Sequence, residues 1–166
     1  MTAQISEKLI YEGQNLSMCT NPLEDYFAMG GDRPRFESNC TALWRGYVGT
    51  WKIVDGRLYL IKLLGDLEGG GEASLATIFP DYHDRVFAHW YSGTIRIPQG
   101  KLLNYVHMGY GSTYERDLFL EFEKGVLTYT RMRQNGHAEG DSGPEGYEIG
   151  GMTVFPRGKQ AEGDAP

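Results

Sequence analysis

The chain reads as mainly β: a single-domain antiparallel β-barrel or rolled β-sandwich of about 8–10 strands built from hairpins, with at most one or two short helices. Three observations predict this. Apolar residues alternate with polar ones along most of the first part of the chain, glycines recur between such runs, and helical periodicity is nearly absent. Size agrees with it, since 166 residues of which 40% are apolar can bury a core without a disulfide or a metal.

Taken in order, Lys8–Tyr11 and Asn15–Met18 read as strands split by Glu12-Gly13. Pro22–Met29 carries Leu23, Tyr26 and Phe27 on one stripe and reads as a turn or two of helix, with Asn21 placed to cap it before Pro22. Ala42–Val48 and Arg85–Tyr91 are further strand candidates. Between them a phrase repeats. Gly49-Thr-Trp-Lys-Ile-Val-Asp-Gly-Arg-Leu58 aligns without gaps with Gly93-Thr-Ile-Arg-Ile-Pro-Gln-Gly-Lys-Leu102, and Leu120–Leu127 is a looser copy. Each sets a glycine between two alternating runs, which signals a two-residue hairpin because glycine accepts the positive φ such turns require.

The turns Asp55-Gly56, Gln99-Gly100 and Lys124-Gly125 then set the register. Ile53 should oppose Leu58, Trp51 should oppose Leu60, and Lys52 should share a face with Tyr59. In the third hairpin Phe122 should oppose Leu127 and Leu120 should oppose Tyr129. The middle hairpin pairs Ile97 with Leu102 and sets Arg96 beside Leu103. Pro98, lacking an N–H, suits a hairpin end or a sheet edge. Every hairpin acquires one apolar and one mixed face, and only rolling the sheet buries the apolar ones.

Residues 1–133 form the β domain in this reading. A Gly-rich extension follows over 134–156, with a short strand at Met152–Phe155 before Pro156, and a disordered tail over 157–166. Glu7 and Lys8 stand where a signal peptide needs an apolar core, and no stretch approaches the ~20 apolar residues of a membrane span. A cytoplasmic protein is expected, with Cys19 and Cys40 as reduced, half-buried packing residues. Sixteen basic against 22 acidic residues give a net charge of −6, which argues against nucleic acid or an anionic membrane surface as partner.

Four histidines, His83, His89, His107 and His137, lack the spacing of zinc sites, so neither metal nor cofactor is expected. Aromatic residues reach 13%, and they concentrate in Val86–Gly93 and Tyr105–Glu115. The register of the middle hairpin places Ser92 opposite His107, Tyr91 opposite Met108 and His89 opposite Tyr110. It thereby gathers His89, Trp90, Tyr91, His107, Tyr110, Tyr114 and Glu115 as candidate ligand-binding residues beside Gly109 and Gly111. Such side chains combine apolar area with a hydrogen-bonding tip, as pockets and interfaces require. An aromatic core with satisfied tips accounts for the same residues. A nucleophilic set of Ser112 or Cys40 with His107 and Glu115 can be drawn, although nothing in the spacing demands it. Trp44-Arg45, read on a strand, is either a stacking pair or a tryptophan beside a surface arginine.

The runs Trp44-Arg-Gly-Tyr47, Asp55-Gly-Arg-Leu-Tyr-Leu60, Val86-Phe-Ala-His-Trp90, Arg96-Ile-Pro-Gln-Gly100 and Tyr105-Val-His-Met-Gly-Tyr110 are similar to a set of small bacterial proteins with no assigned activity. That resemblance implies one compact domain over Leu9–Thr130 and no mechanism. Gly49-Thr-Trp51 also resembles the Gly-x-Trp of lipocalin-type barrels, although it lies well inside this chain. Three function classes follow, in order of expectation. They are a non-enzymatic protein-interaction module of adaptor or immunity type, a small-molecule-binding barrel with an aromatic and histidine-lined pocket, and a hydrolase using His107 with Glu115 or Asp84. The partner is then another protein or a small molecule. A deep pocket holding the tips of His89 and His107 would favour the last two.

Overall fold

The computed structural model describes residues 3–38 and 40–136. His137, most of the Gly-rich extension, the strand expected at Met152–Phe155 and the tail from Arg157 lie outside the described residues.

Three hairpins close on the same kind of turn. Glu12-Gly13 joins β1 (Glu7–Tyr11) to β2 (Gln14–Met18) with φ of 51° and 76°. After helix α1 (Pro22–Ala28) and a 3-10 turn over Thr41–Leu43, Asp55-Gly56 joins β3 (Tyr47–Val54) to β4 (Arg57–Gly65) with φ of 52° and 75°. Past helix α2 (Leu75–Ile78), β5 (Val86–Phe87) and β6 (Gly93–Asn104), Lys124-Gly125 joins β7 (Thr113–Glu123) to β8 (Val126–Gln134) with φ of 50° and 82°. Two successive positive φ values are the hairpin turn whose twist matches that of the flanking strands.

The expected registers of Ile53 with Leu58, Lys52 with Tyr59 and Trp51 with Leu60 are all formed. Phe122 faces Leu127 as expected, but a bulge shifts the ladder one residue on, so Leu120 meets Thr130 rather than Tyr129. The middle hairpin does not exist. β6 runs straight through Gln99 and Gly100, and Ile97 faces Leu118 while Leu102 faces Tyr114. Gly100 has φ of 85° inside a bulge, where Glu115 Oε1 accepts the Lys101 N–H (3.1 Å). A glycine between alternating runs serves a bulge as well as a turn, and the local sequence does not separate the two.

Other elements are shorter than the patterning suggests. Gly46 turns with φ of 87°, so the strand expected from Ala42 starts only at Tyr47 and leaves Trp44-Arg45 on the turn before it. The strand expected over Arg85–Tyr91 is reduced to Val86–Phe87, because the chain turns back where Tyr91 N–H donates to Ala88 C=O (3.0 Å). α1 forms where expected, yet Asn21 supplies no side-chain cap. The sequence reading did not anticipate α2, where Thr77 Oγ1 accepts the Ser74 N–H (2.9 Å).

The strands order as β2-β1-β3-β4-β8-β7-β6, with β5 beside β4. Every pairing is antiparallel except β1 with β3, and the long excursion through β2 and α1 supplies the crossover a parallel pair needs. The ladder does not close, but its two ends touch. Cys19 N–H, just past β2, donates to Arg96 C=O on β6 (2.8 Å), and Thr20 Oγ1 accepts the Arg96 N–H (3.2 Å). Pro98 sits on β6, the edge strand, where its missing N–H costs least. The rolled interior is filled by Leu9, Met18, Trp51, Leu58, Leu60, Ile95, Ile97, Leu120 and Phe122, with Leu23 of α1 plugged into it. No helix among the described residues is long and apolar enough to cross a membrane.

Candidate functional site

The seven residues gathered by the expected middle hairpin are separated in the structure, because the turn that would gather them is not made. β6 sets about 36 Å of strand between its ends, its 12 residues making roughly eleven steps of ~3.3 Å. Trp90 is core: its indole stacks on Phe79 (5.8 Å between centroids, 12°), and Nε1–H donates to Pro22 C=O (2.9 Å). Tyr91 is buried against Phe122, and burial with the charge of Asp25 pushes its phenol above the ordinary range. His89 is exposed at the turn after β5, its ring edge-on to Trp90.

Tyr110 and Tyr114 stand at the other end of β6, where they line a cavity of about 190 Å³ with Cys19, Tyr105 and Ser112. Burial pushes the Tyr110 phenol up to about 12, and its hydroxyl donates to Asn21 Oδ1 (2.8 Å). That bond explains why Asn21 does not cap α1. His107 is exposed and lies edge-on to Tyr105, while Glu115 fills the β6 bulge. In the nucleophilic set, Ser112 Oγ accepts the Val106 N–H (2.9 Å) and Glu115 Oε1 accepts the Lys101 N–H. Cys19, outside that set, has its thiol raised by burial. The cysteines differ, Cys19 being half-buried as expected and Cys40 exposed.

The built site lies on the segment leading into β1 and the loop leading into β3. Glu7 opens β1 on the inward side, in phase with Leu9, and is completely buried. Its Oε1 accepts Trp51 Nε1–H (2.8 Å), and its Oε2 accepts Gly49 N–H (3.0 Å) and Arg45 Nε–H (3.0 Å), with Arg45 Nη2 at 2.9 Å. Burial pushes this carboxyl up and outweighs the downward pull of the Arg45 guanidinium and the three donors, so it stays above the ordinary carboxylate range. Gly49 has to be glycine here, since a Cβ would stand 2.7 Å from Glu7 Oε1. The Gly49-x-Trp51 spacing is therefore a clamp on one buried carboxylate. Arg45 is neither at the surface nor stacked on Trp44: it is nearly buried, lies over the Tyr47 ring (5.4 Å) and also donates from Nη2 to Ile5 C=O (2.9 Å).

Trp44 stands on this support. Its N–H donates to Gln4 Oε1 (2.9 Å), Ile5 N–H donates to Ala42 C=O (2.8 Å), and Gln4 N–H donates to Gly109 C=O (2.9 Å). The first bond holds its own backbone and the other two tie Gln4-Ile5 to the segments on either side, yet the residue is 66% exposed. On one side of it lies a polar cleft of about 410 Å³ lined by Gln4, Asn21, Glu24, Arg33, Trp44 and Arg45. Arg33 Nη1 donates to both Glu24 oxygens (2.9 and 3.1 Å), and Tyr47 Oη donates to Glu24 Oε2 (2.6 Å). On the other side lies a groove of about 320 Å³ whose apolar lining includes Ile5, Leu43, Val48 and Leu64, with Lys8, Asp66 and Glu72 at its margin. Gln4-Ile5 and Leu43-Trp44 form the ridge between the two.

A second buried carboxylate, Asp117 on β7, holds the Tyr110 loop in place indirectly. Arg96 donates from Nε to Asp117 Oδ1 (2.9 Å) and from its two terminal nitrogens to Tyr110 C=O and Ser112 C=O (2.7 Å each). No protein family matches this chain, and neither does any curated protein or solved structure.

Proposed function

We propose that this protein is a non-enzymatic interaction module that docks a partner protein on the Trp44 ridge. One observation carries the reading: a tryptophan held open to solvent over a pinned backbone and a buried ion pair, with a concavity on either side. Exposing an indole forgoes roughly 2 kcal/mol or more of burial, and tryptophan and arginine are the side chains that dominate interface energetics. The partner segment that fits carries an apolar side chain for the groove, with a lysine or arginine beside it to meet Asp66 and Glu72. The net charge of −6 steers a basic partner toward the surface.

The test is site-specific photo-crosslinking in the source cells, with the reactive residue placed at Trp44, at Leu64 and, as control, at Asp55 on the opposite turn. A single protein adduct formed from the first two positions and not from Asp55 is the expected result. Adducts that do not distinguish the positions, or none at all, would overturn the reading. Recovery of a small molecule bound in the polar cleft would favour ligand binding instead.

A further inference from the structure

Among the described residues, β8 uses only one of its two edges along most of its length. Val126 bridges Arg57 of β4, and Leu127 N–H donates to Gly56 C=O (2.7 Å). Beyond that point, among the described residues, β8 pairs with β7 alone. Asn135 N–H donates to Glu115 C=O on β7 (2.7 Å). Backbone groups alternate between the two edges of a strand. Arg133 and Arg131 therefore direct theirs to β7, and Thr130, Met132 and Gln134 direct theirs to the open side. A row of unpaired N–H and C=O groups is a template for a further strand.

The side chains along this edge sort by face. Arg131 and Arg133 stand over the Phe119 ring (4.3 and 5.1 Å to its centroid), held there by Glu121 (3.2 Å) and Asp117 (2.9 Å). Thr130 and Met132 share the opposite face with Leu120 and Leu118, the face that covers the core. Met132 is nonetheless 46% exposed, with no described strand paired on that side.

We propose that this edge is a second binding surface, independent of the Trp44 ridge, which accepts by strand addition an extended segment of a partner protein with alternating acidic and apolar side chains. The acidic positions meet Arg131 and Arg133 on one face, and the apolar positions cover Met132 on the other. Main-chain hydrogen bonds supply affinity, and the alternation supplies selectivity. A second copy of the chain paired two-fold about Met132 would set Arg131 opposite Arg133 twice, and like charges directly opposed destabilise a ladder.

The test is amide exchange of the full chain, followed by NMR, with two synthetic nine-residue peptides, one alternating glutamate and valine and the other lysine and valine. The first should slow exchange at Thr130, Met132 and Gln134 by about tenfold or more, and the second should leave it unchanged. Met132→Pro removes an N–H that β7 does not use, so it should abolish the effect without loss of fold. Arg131→Glu should reverse the peptide preference, and it reports independently should the proline variant fail to fold. The proposal is overturned if those amides are already protected in the chain alone, or if the two peptides act alike or not at all.

Discussion

Replacing Glu7 by glutamine keeps the side-chain shape and removes the charge that the surrounding donors address. Glutamine offers one acceptor oxygen in place of two, and its amide hydrogens face either the Trp51 indole N–H or the Gly49 N–H and Arg45 guanidinium together, all donors themselves. Arg45, nearly buried, is left with no counter-charge. Breaking a buried pair in this way costs about 3–5 kcal/mol, a fall in melting temperature of roughly 12–20 °C at about 4 °C per kcal/mol for a domain of this size. Adding Arg45→Met removes the stranded cation while keeping aliphatic bulk over Tyr47, which the guanidinium now covers at 5.4 Å. The double variant should therefore recover about 2 kcal/mol relative to Glu7→Gln alone. Urea titrations read by tryptophan fluorescence measure all three proteins, and an unchanged slope confirms a common unfolding reaction. A cost below about 1 kcal/mol for the single variant, or a double variant no more stable than the single, would refute the claim that this pair supports the ridge.

Three further outcomes are expected. Trp44→Ala and His107→Ala should each change stability by less than about 0.5 kcal/mol, since both side chains are exposed, whereas Trp90→Ala should cost about 3–5 kcal/mol because it empties the core; differential scanning calorimetry separates these. Burial alone would raise the Asp117 carboxyl, but hydrogen bonds from Asn135, Arg96 and Arg133 outweigh it and hold the pKa below the ordinary value. Asp117 therefore contributes stability that is present above the unfolded value of about 3.9 and is lost as pH falls through the lower folded one. Urea midpoints measured between pH 2 and 6 should show an acid loss that Asp117→Asn diminishes, and an identical acid profile in the variant would contradict this. Finally, Gly56→Ala should cost only about 1–2 kcal/mol for a left-handed alanine, because nothing lies within 4 Å of the added carbon. Gly125→Ala should cost clearly more in the same titration, because there the carbon meets Ala88 O at 2.6 Å.

Turns and strand faces were legible in the sequence because both are local. A glycine that accepts positive φ and a side-chain period of two need no distant partner, so Asp55-Gly56 and Lys124-Gly125 could be read as hairpins and Ile53, Leu58, Phe122 and Leu127 placed on inward faces. Gln99-Gly100 shows the limit of such reading. The same local pattern became a bulge because β7 arrived to pair with the whole of β6, and the candidate site built on that turn dispersed with it. Glu7 was legible only in part: its phase with Leu9 points it inward, but a carboxylate can enter a core only if donors are waiting. Those donors come from Arg45, Gly49 and Trp51, about forty residues along the chain. Local conformational preference thus determined where this chain bends and which side of each ribbon is apolar. The tertiary structure alone decided which edges meet, which charges are buried together, and which tryptophan of three is left facing water, because each depends on contacts between segments that no short stretch of sequence contains.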